Sequence, residues 1–98
     1  MRRDEVIERL TKHADAIRAL GACSLYLYGS HARDEARPDS DVDLFFDRDP
    51  EKKLSMFDLI DMKVLTEEIL ETEVDIGTRS GLHPRLKPTI EQSSIRVF

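Results

Sequence analysis

Val6, Ile7, Leu10, Ala14, Ile17 and Leu20 recur at intervals near three and four, which predicts one helix over residues 4–20. Asp4 and Glu5 suit its start and Gly21 its end. The period then falls to two. Cys23, Leu25 and Leu27 alternate with Ser24, Tyr26 and Tyr28, a strand over 22–28 in which Cys23 is expected as a small buried hydrophobe. Residues 30–36 read as a short helix that Arg37-Pro38-Asp39-Ser40 breaks. A second alternation over 41–47 sets Asp41, Asp43 and Phe45 on one face and Val42, Leu44 and Phe46 on the other. After the solvated turn Asp49-Pro50-Glu51-Lys52-Lys53, Ser55 and Asp58 have the spacing of a capping box. The helix they open runs to about Glu71, with Phe57, Ile60, Val64 and Ile69 expected inward. Residues 73–77 form a short third strand with Asp75 on the face opposite Val74 and Ile76. Pro84 suits the first turn of a last helix over 84–93, carrying Leu86 and Ile90. Residues 95–98 alternate as a final strand or a docking segment, and the C-terminal segment 84–98 is expected to help contact a partner or a second copy of the chain.

Strands interleaved with helices give an α/β or α+β sandwich in which helices cover a small sheet. At 98 residues a single domain, 1–98, is expected. The net charge of −5 disfavours direct nucleic-acid binding, which draws on a basic surface, but leaves a nucleotide substrate open because bound metal reverses the local sign. No apolar run approaches the ~18 residues of a membrane span, and no signal-peptide pattern opens the chain. One cysteine permits no intramolecular disulfide, so a cytoplasmic location is expected.

Chemistry concentrates in Gly29-Ser30-His31-Ala32-Arg33 and Ser40-Asp41-Val42-Asp43. A Gly-Ser pair between a strand and a short helix leaves backbone N–H groups free at a positive helix end, which suits phosphate. Asp41 and Asp43, spaced i, i+2 on a strand, share a face about 6.5 Å apart. Carboxylates so placed at the start of an apolar strand call for a cation, and Mg²⁺ takes oxygen ligands alongside substrate phosphates. Gly-Ser alone is an ordinary turn, and Asp-x-Asp alone is often a solvated strand end. Their combination, in this order, points to nucleotidyl transfer. Two-metal phosphoryl chemistry needs a further carboxylate, and Asp75, isolated between Val74 and Ile76, is placed to supply it.

Gly29-Ser30-His31-Ala32-Arg33, Ser40-Asp41-Val42-Asp43-Leu44 and Val74-Asp75-Ile76 resemble the three signature segments of the DNA polymerase β-like nucleotidyltransferases, and the short chain is most similar to their minimal (MNT) group. The resemblance implies a mixed, mostly antiparallel small sheet flanked by helices. It implies that Gly29 and Ser30 hold ATP, that Asp41 and Asp43 bind two Mg²⁺ ions, and that Asp75 completes the catalytic metal site. Arg33 would support the phosphates or the loop carrying Asp41. Asp34 stands where the family commonly has glycine. MNT proteins of this kind are commonly paired with a small helical HEPN toxin, and the resemblance implies an antitoxin that attaches AMP to a tyrosine of that partner. Two other readings remain beside it: a non-catalytic antitoxin that covers its partner, and an enzyme acting on a small molecule or an RNA end. Either homo- or hetero-oligomers fit the pattern. His13, His31 and His83 lack ligand spacing, so no zinc site is expected. His31 is read equally as a nucleotide contact or an exposed bystander. Tyr26 and Tyr28 are read as sheet residues.

Overall fold

A computed structural model describes every residue except Pro38, which lies in the expected break after the short helix. The first helical stretch is two helices, α1 (Arg3–Lys12) and α2 (Ala14–Ala19). The expected single helix is interrupted at His13, whose backbone leaves the helical region (φ −112°, ψ 19°) and whose Nδ1 lies 3.0 Å from the Arg9 carbonyl. The apolar stripe survives the break, because Val6, Leu10, Ala14 and Ile17 are all buried.

Strand β1 (Ala22–Tyr28) leads directly into α3 (Gly29–Ala32), which is shorter than expected and is followed by β2 (Val42–Arg48). Helix α4 (Met56–Leu70) carries the predicted capping box: Ser55 Oγ accepts from the Asp58 N–H, and the Asp58 carboxylate accepts from the Ser55 N–H. Its C-cap Glu71 is left-handed (φ 56°), and strand β3 (Val74–Thr78) follows. A 3-10 turn (Arg79–Gly81), α5 (Lys87–Ser93) and β4 (Ile95–Arg96) complete the chain. The last helix starts later than Pro84 suggested; Pro88, within its first turn, fills the place where a missing N–H costs nothing.

The strands form one mixed sheet in the order β3-β2-β1-β4. β1 is antiparallel to both β2 and β4, and β2 and β3 run parallel. One face carries Leu25, Leu27, Val42, Leu44, Phe46, Val74 and Ile76, and these pack with Val6, Leu10, Ile17, Met62 and Leu70 of the helices into the core. The 3-10 turn and α5 lie on the opposite face, where Arg79 sits over Tyr26 and Phe45.

Two expectations of burial require correction. The inward side of α4 is Met62, Thr66 and Leu70, whereas Phe57, Ile60 and Val64 are 78%, 51% and 48% exposed; only Ile69 of the expected set packs against the core. Thr66 enters the core because its hydroxyl bonds the Met62 and Lys63 carbonyls. Cys23 is exposed, since a bulge between Ala22 and Ser24 shifts the alternation at the start of β1. Of the two readings of the tail, the strand is the one formed, with Ile95–Arg96 pairing with β1. Val97 is buried and donates to the Leu25 carbonyl at 2.7 Å, while Leu25 donates to the Phe98 carbonyl at 3.1 Å.

Candidate active site

Strand register builds the site. Tyr28 pairs with Asp43 across β1 and β2, and Asp43 pairs with Asp75 across β2 and β3. The three side chains form one row across the sheet, on strands about 4.8 Å apart. Behind them lies a second row of Tyr26, Phe45 and Gly77. Tyr26 stacks on Phe45 with ring centroids 4.8 Å apart, and Tyr28 tilts against the same ring at 5.8 Å.

The Asp43 carboxyl is held above the usual carboxylate range, first by burial and then by the charges of Asp75 and Asp41; Arg33 acts the other way. Burial also raises the Tyr28 phenol, with Asp43 and Asp75 adding to it. Negative charge is therefore concentrated around the partly buried Asp43. Asp41 lies one residue before β2 and is exposed. Among the described residues, no three His, Cys, Asp or Glu side chains gather closely enough to hold a metal ion. The structure thus brings Asp43 and Asp75 together and leaves Asp41 turned to solvent. The donor set still fits Mg²⁺: it is all oxygen, and Asp43 already carries the electrostatic penalty that a hard cation relieves.

Gly29 stands at φ +74°, where a side chain is strained, and a Cβ there would fall onto the Asp43 carboxylate. The turn into α3 thus packs directly on the central carboxylate. Among the described residues, the Ser30 hydroxyl has no protein partner, and the first N–H groups of the turn have no intrahelical acceptors. Arg33 closes the turn with its Nε donating to Glu35 at 3.2 Å, and its side chain is about half exposed. His31 is buried rather than exposed: it is 2% exposed, its Nδ1 has no partner, and burial lowers its pKa. Asp34 also has a left-handed backbone (φ 57°), the conformation that favours glycine, and its carboxylate accepts from the Arg3 N–H at 3.2 Å. It therefore caps the first turn of α1 instead of facing the phosphate loop.

A cleft of about 440 Å³ opens beside the row, lined by Tyr28, Asp43, Asp75 and Gly77 from the sheet and by Leu82 and Leu86 among the residues of the segment crossing it. That segment is fixed by Arg79. Its Nε and Nη2 donate to Asp47 at 2.7 and 3.0 Å, and its Nη1 donates to Glu91 at 2.6 Å. These bonds lower the Asp47 pKa and raise that of Arg79. Arg79 and Leu82 carry no motif in the sequence, and Leu86 reads there only as an apolar helix residue. Tyr28 could have been singled out as the residue that shares a face with Asp43 in a hairpin of the right register.

The sequence and the fold have counterparts. Residues 10–97 match the nucleotidyltransferase domain family. A candidate protein adenylyltransferase of Methanocaldococcus jannaschii is 33% identical over 94 residues, covering 96% of this chain and 91% of that protein. A candidate minimal nucleotidyltransferase of known structure superposes with a TM-score of 0.82 at 30% identity, over 97% of this chain and 95% of that one. The fold recurs, at 13% identity and a TM-score of 0.65, in a complex of a tri-AMPylated Shewanella oneidensis HEPN toxin with an MNT antitoxin, over 94% of this chain and 71% of that one. Among the described residues no helix is long and apolar enough to cross a membrane. With its carboxylate row behind a Gly-Ser turn, this chain belongs to the nucleotidyltransferase domain family and is a minimal nucleotidyltransferase of the DNA polymerase β-like fold.

Proposed function

We propose that this chain is a Mg²⁺-dependent protein adenylyltransferase. It moves AMP from ATP to a hydroxyl, a tyrosine in the first place, of a small helical HEPN-type partner, and so acts as the antitoxin of a toxin–antitoxin pair in the cytoplasm. The observation that carries this reading is the in-register row of Asp43 and Asp75 with Gly29 packed against Asp43. A purely steric inhibitor has no use for such a row. The names of the Methanocaldococcus relative and of the Shewanella complex supply the class of acceptor.

In this reading the Gly29 and Ser30 backbone N–H groups and the Ser30 hydroxyl hold the triphosphate. Arg33 lies close enough for its charge to act on Asp43. Asp41, Asp43 and Asp75 would hold Mg²⁺. Bound Mg²⁺ neutralises the triphosphate and the charge that develops as the phosphoryl group moves. The acceptor oxygen attacks the α-phosphorus, the bond from that phosphorus to the bridging oxygen breaks, and pyrophosphate leaves. Asp75 accepts the hydroxyl proton.

The test is to incubate the chain with α-³²P-labelled ATP, Mg²⁺ and a small helical HEPN-type protein. Label on a tyrosine of that protein, lost on adding a chelator, is the expected result. Tight complex formation with no label under any metal condition would leave steric blocking as the function.

A further inference from the structure

Helix α4 is apolar on two faces. Met62 and Leu70 turn into the core, with Leu59, Leu65 and Ile69 packed against it. The opposite face carries Met56, Phe57, Ile60 and Val64, all of them exposed. Spacings of three and four align these four side chains as one stripe along about 12 Å of helix. Apart from Leu86, they are the large apolar side chains that the described residues leave exposed. A helix that is apolar all round is ordinarily covered all round. The stripe also runs from a basic end to an acidic one. Lys52 and Lys53 precede it, Glu67, Glu68 and Glu71 follow it, and Asp61 and Lys63 border it between. Glu67 accepts from the Val74 N–H, and Glu71 lies 3.7 Å from Arg9. Lys53 and Glu68 are exposed and have no partner among the described residues. Ile60 stands near the middle of the span between them.

We infer that this stripe joins two copies of the chain, their α4 helices antiparallel about a two-fold axis near Ile60. Antiparallel packing sets the apolar centre of one helix on that of the other. It also brings the Lys53 end of each to the Glu68 end of its partner, twice by symmetry. A parallel pair would set lysine on lysine and glutamate on glutamate. The surface thus complements itself in one orientation only. Its place in the fold separates a second copy from an acceptor protein, a step that rests on the adenylyl-transfer reading above. Asp43 and Asp75 alternate with Val42, Leu44, Val74 and Ile76, so they stand on the sheet face opposite the one that α4 covers. A protein seated on the stripe has α4 and the sheet between itself and those carboxylates. Its hydroxyl does not reach them from there. A second copy seated on the stripe leaves both carboxylate rows open.

The experiment is sedimentation equilibrium of the whole chain, without nucleotide or acceptor, over a range of concentrations. A monomer–dimer equilibrium is expected. Ile60→Glu, at an exposed position, keeps the native circular dichroism and weakens the dimer by about a hundredfold or more. Lys53→Glu weakens it roughly tenfold at low salt, and adding Glu68→Lys to that variant restores the parent affinity. A chain that stays monomeric to millimolar concentration overturns the inference. So does a dimer indifferent to Ile60→Glu, or a charge exchange that fails to compensate. A monomeric chain whose complex with a small helical HEPN-type protein is lost in Ile60→Glu would give the stripe to that protein and overturn it equally. Association is read here without turnover, so failure of the dimer and failure of AMP transfer leave separate records.

Discussion

Gly29 and Asp43 are in such close register that the carboxylate of one occupies the space where a side chain of the other would begin. The turn proposed to hold phosphate and the central carboxylate are therefore a single packed unit. Gly29→Ala should cost about 1–3 kcal/mol through its left-handed backbone. It should also displace Asp43. Thermal unfolding will report the first effect, and calorimetric titration with Mg²⁺ and ATP the second, with binding lost or strongly weakened while the circular dichroism stays native.

Asp43→Asn should stabilise the chain at neutral pH while removing most Mg²⁺-dependent ATP affinity. The native carboxyl is raised by burial and by Asp75 and Asp41. Below its unfolded pKa the group is protonated in both states and carries no penalty. As the pH rises through the raised native value, ionisation against its neighbours costs stability that asparagine does not lose. Urea midpoints of the two proteins should coincide in acid and separate towards neutrality, with the variant the higher.

Asp75→Asn is expected to lower AMP transfer by on the order of 10²–10³-fold. Its exposed position on β3 predicts no loss of stability and little change in complex formation with the partner. Rates from labelled ATP, set beside co-purification, distinguish the two quantities. A variant that still transfers at near the parent rate would place the proton acceptor elsewhere.

Much of this was legible from the sequence because strands alternate with a period of two. The three strands and the shared face of Asp43 and Asp75 could be read before any coordinates. The capping box at Ser55 and Asp58 was legible for a similar reason, as local hydrogen bonding fixes its spacing. The α4 face was not legible. Apolar periodicity picks out Phe57, Ile60 and Val64, while the core takes Met62, Leu70 and the polar Thr66, which satisfies its hydroxyl within its own helix. Cys23 was misplaced because a bulge leaves no mark in a period-two pattern. Asp34 stood out in the sequence only as a departure from the family's glycine, and the approach of α1 reveals it as a cap. Arg79 gains its partners from strands and a helix distant in sequence, so no spacing could announce it.

Arg79→Met should destabilise the chain by about 1–2 kcal/mol, the worth of partly screened charged hydrogen bonds. The lowered Asp47 pKa, caused first by its bond to Arg79, fixes the pH dependence. The stabilisation is present above the unfolded pKa of Asp47 and is lost as the pH falls through the native one. The gap in unfolding midpoint between parent and variant should therefore narrow in acid. A gap that is constant with pH would assign Arg79's contribution to its packing on Tyr26 and Phe45 instead.

Removing residues 95–98 should lower the melting temperature and broaden the transition. The deletion strips the β1 edge of its partner, including the bonds that link Leu25 with Val97 and Phe98, and uncovers the core beside Val97. Burying a valine side chain alone is worth about 1.5–3 kcal/mol. If the shortened chain melts as the parent does yet loses its partner, the tail serves the interface rather than the sheet.

The parallel pairing of β2 with β3 gives the site a history as well as a geometry. The hairpin of β1 and β2, with the Gly-Ser turn inside it, closes over a short stretch of chain. β3 reaches β2 only after α4 has been laid across the sheet. Contacts that are far apart in sequence form late, because loop-closure entropy opposes them until other contacts compensate. A refolding chain should therefore regain the half of its surface proposed to bind nucleotide before Asp75 arrives. A slip of one residue in that last pairing would turn Asp75 into the core. Return of catalysis would then time the final pairing, and a population that binds ATP without transferring AMP would mark molecules still waiting for it.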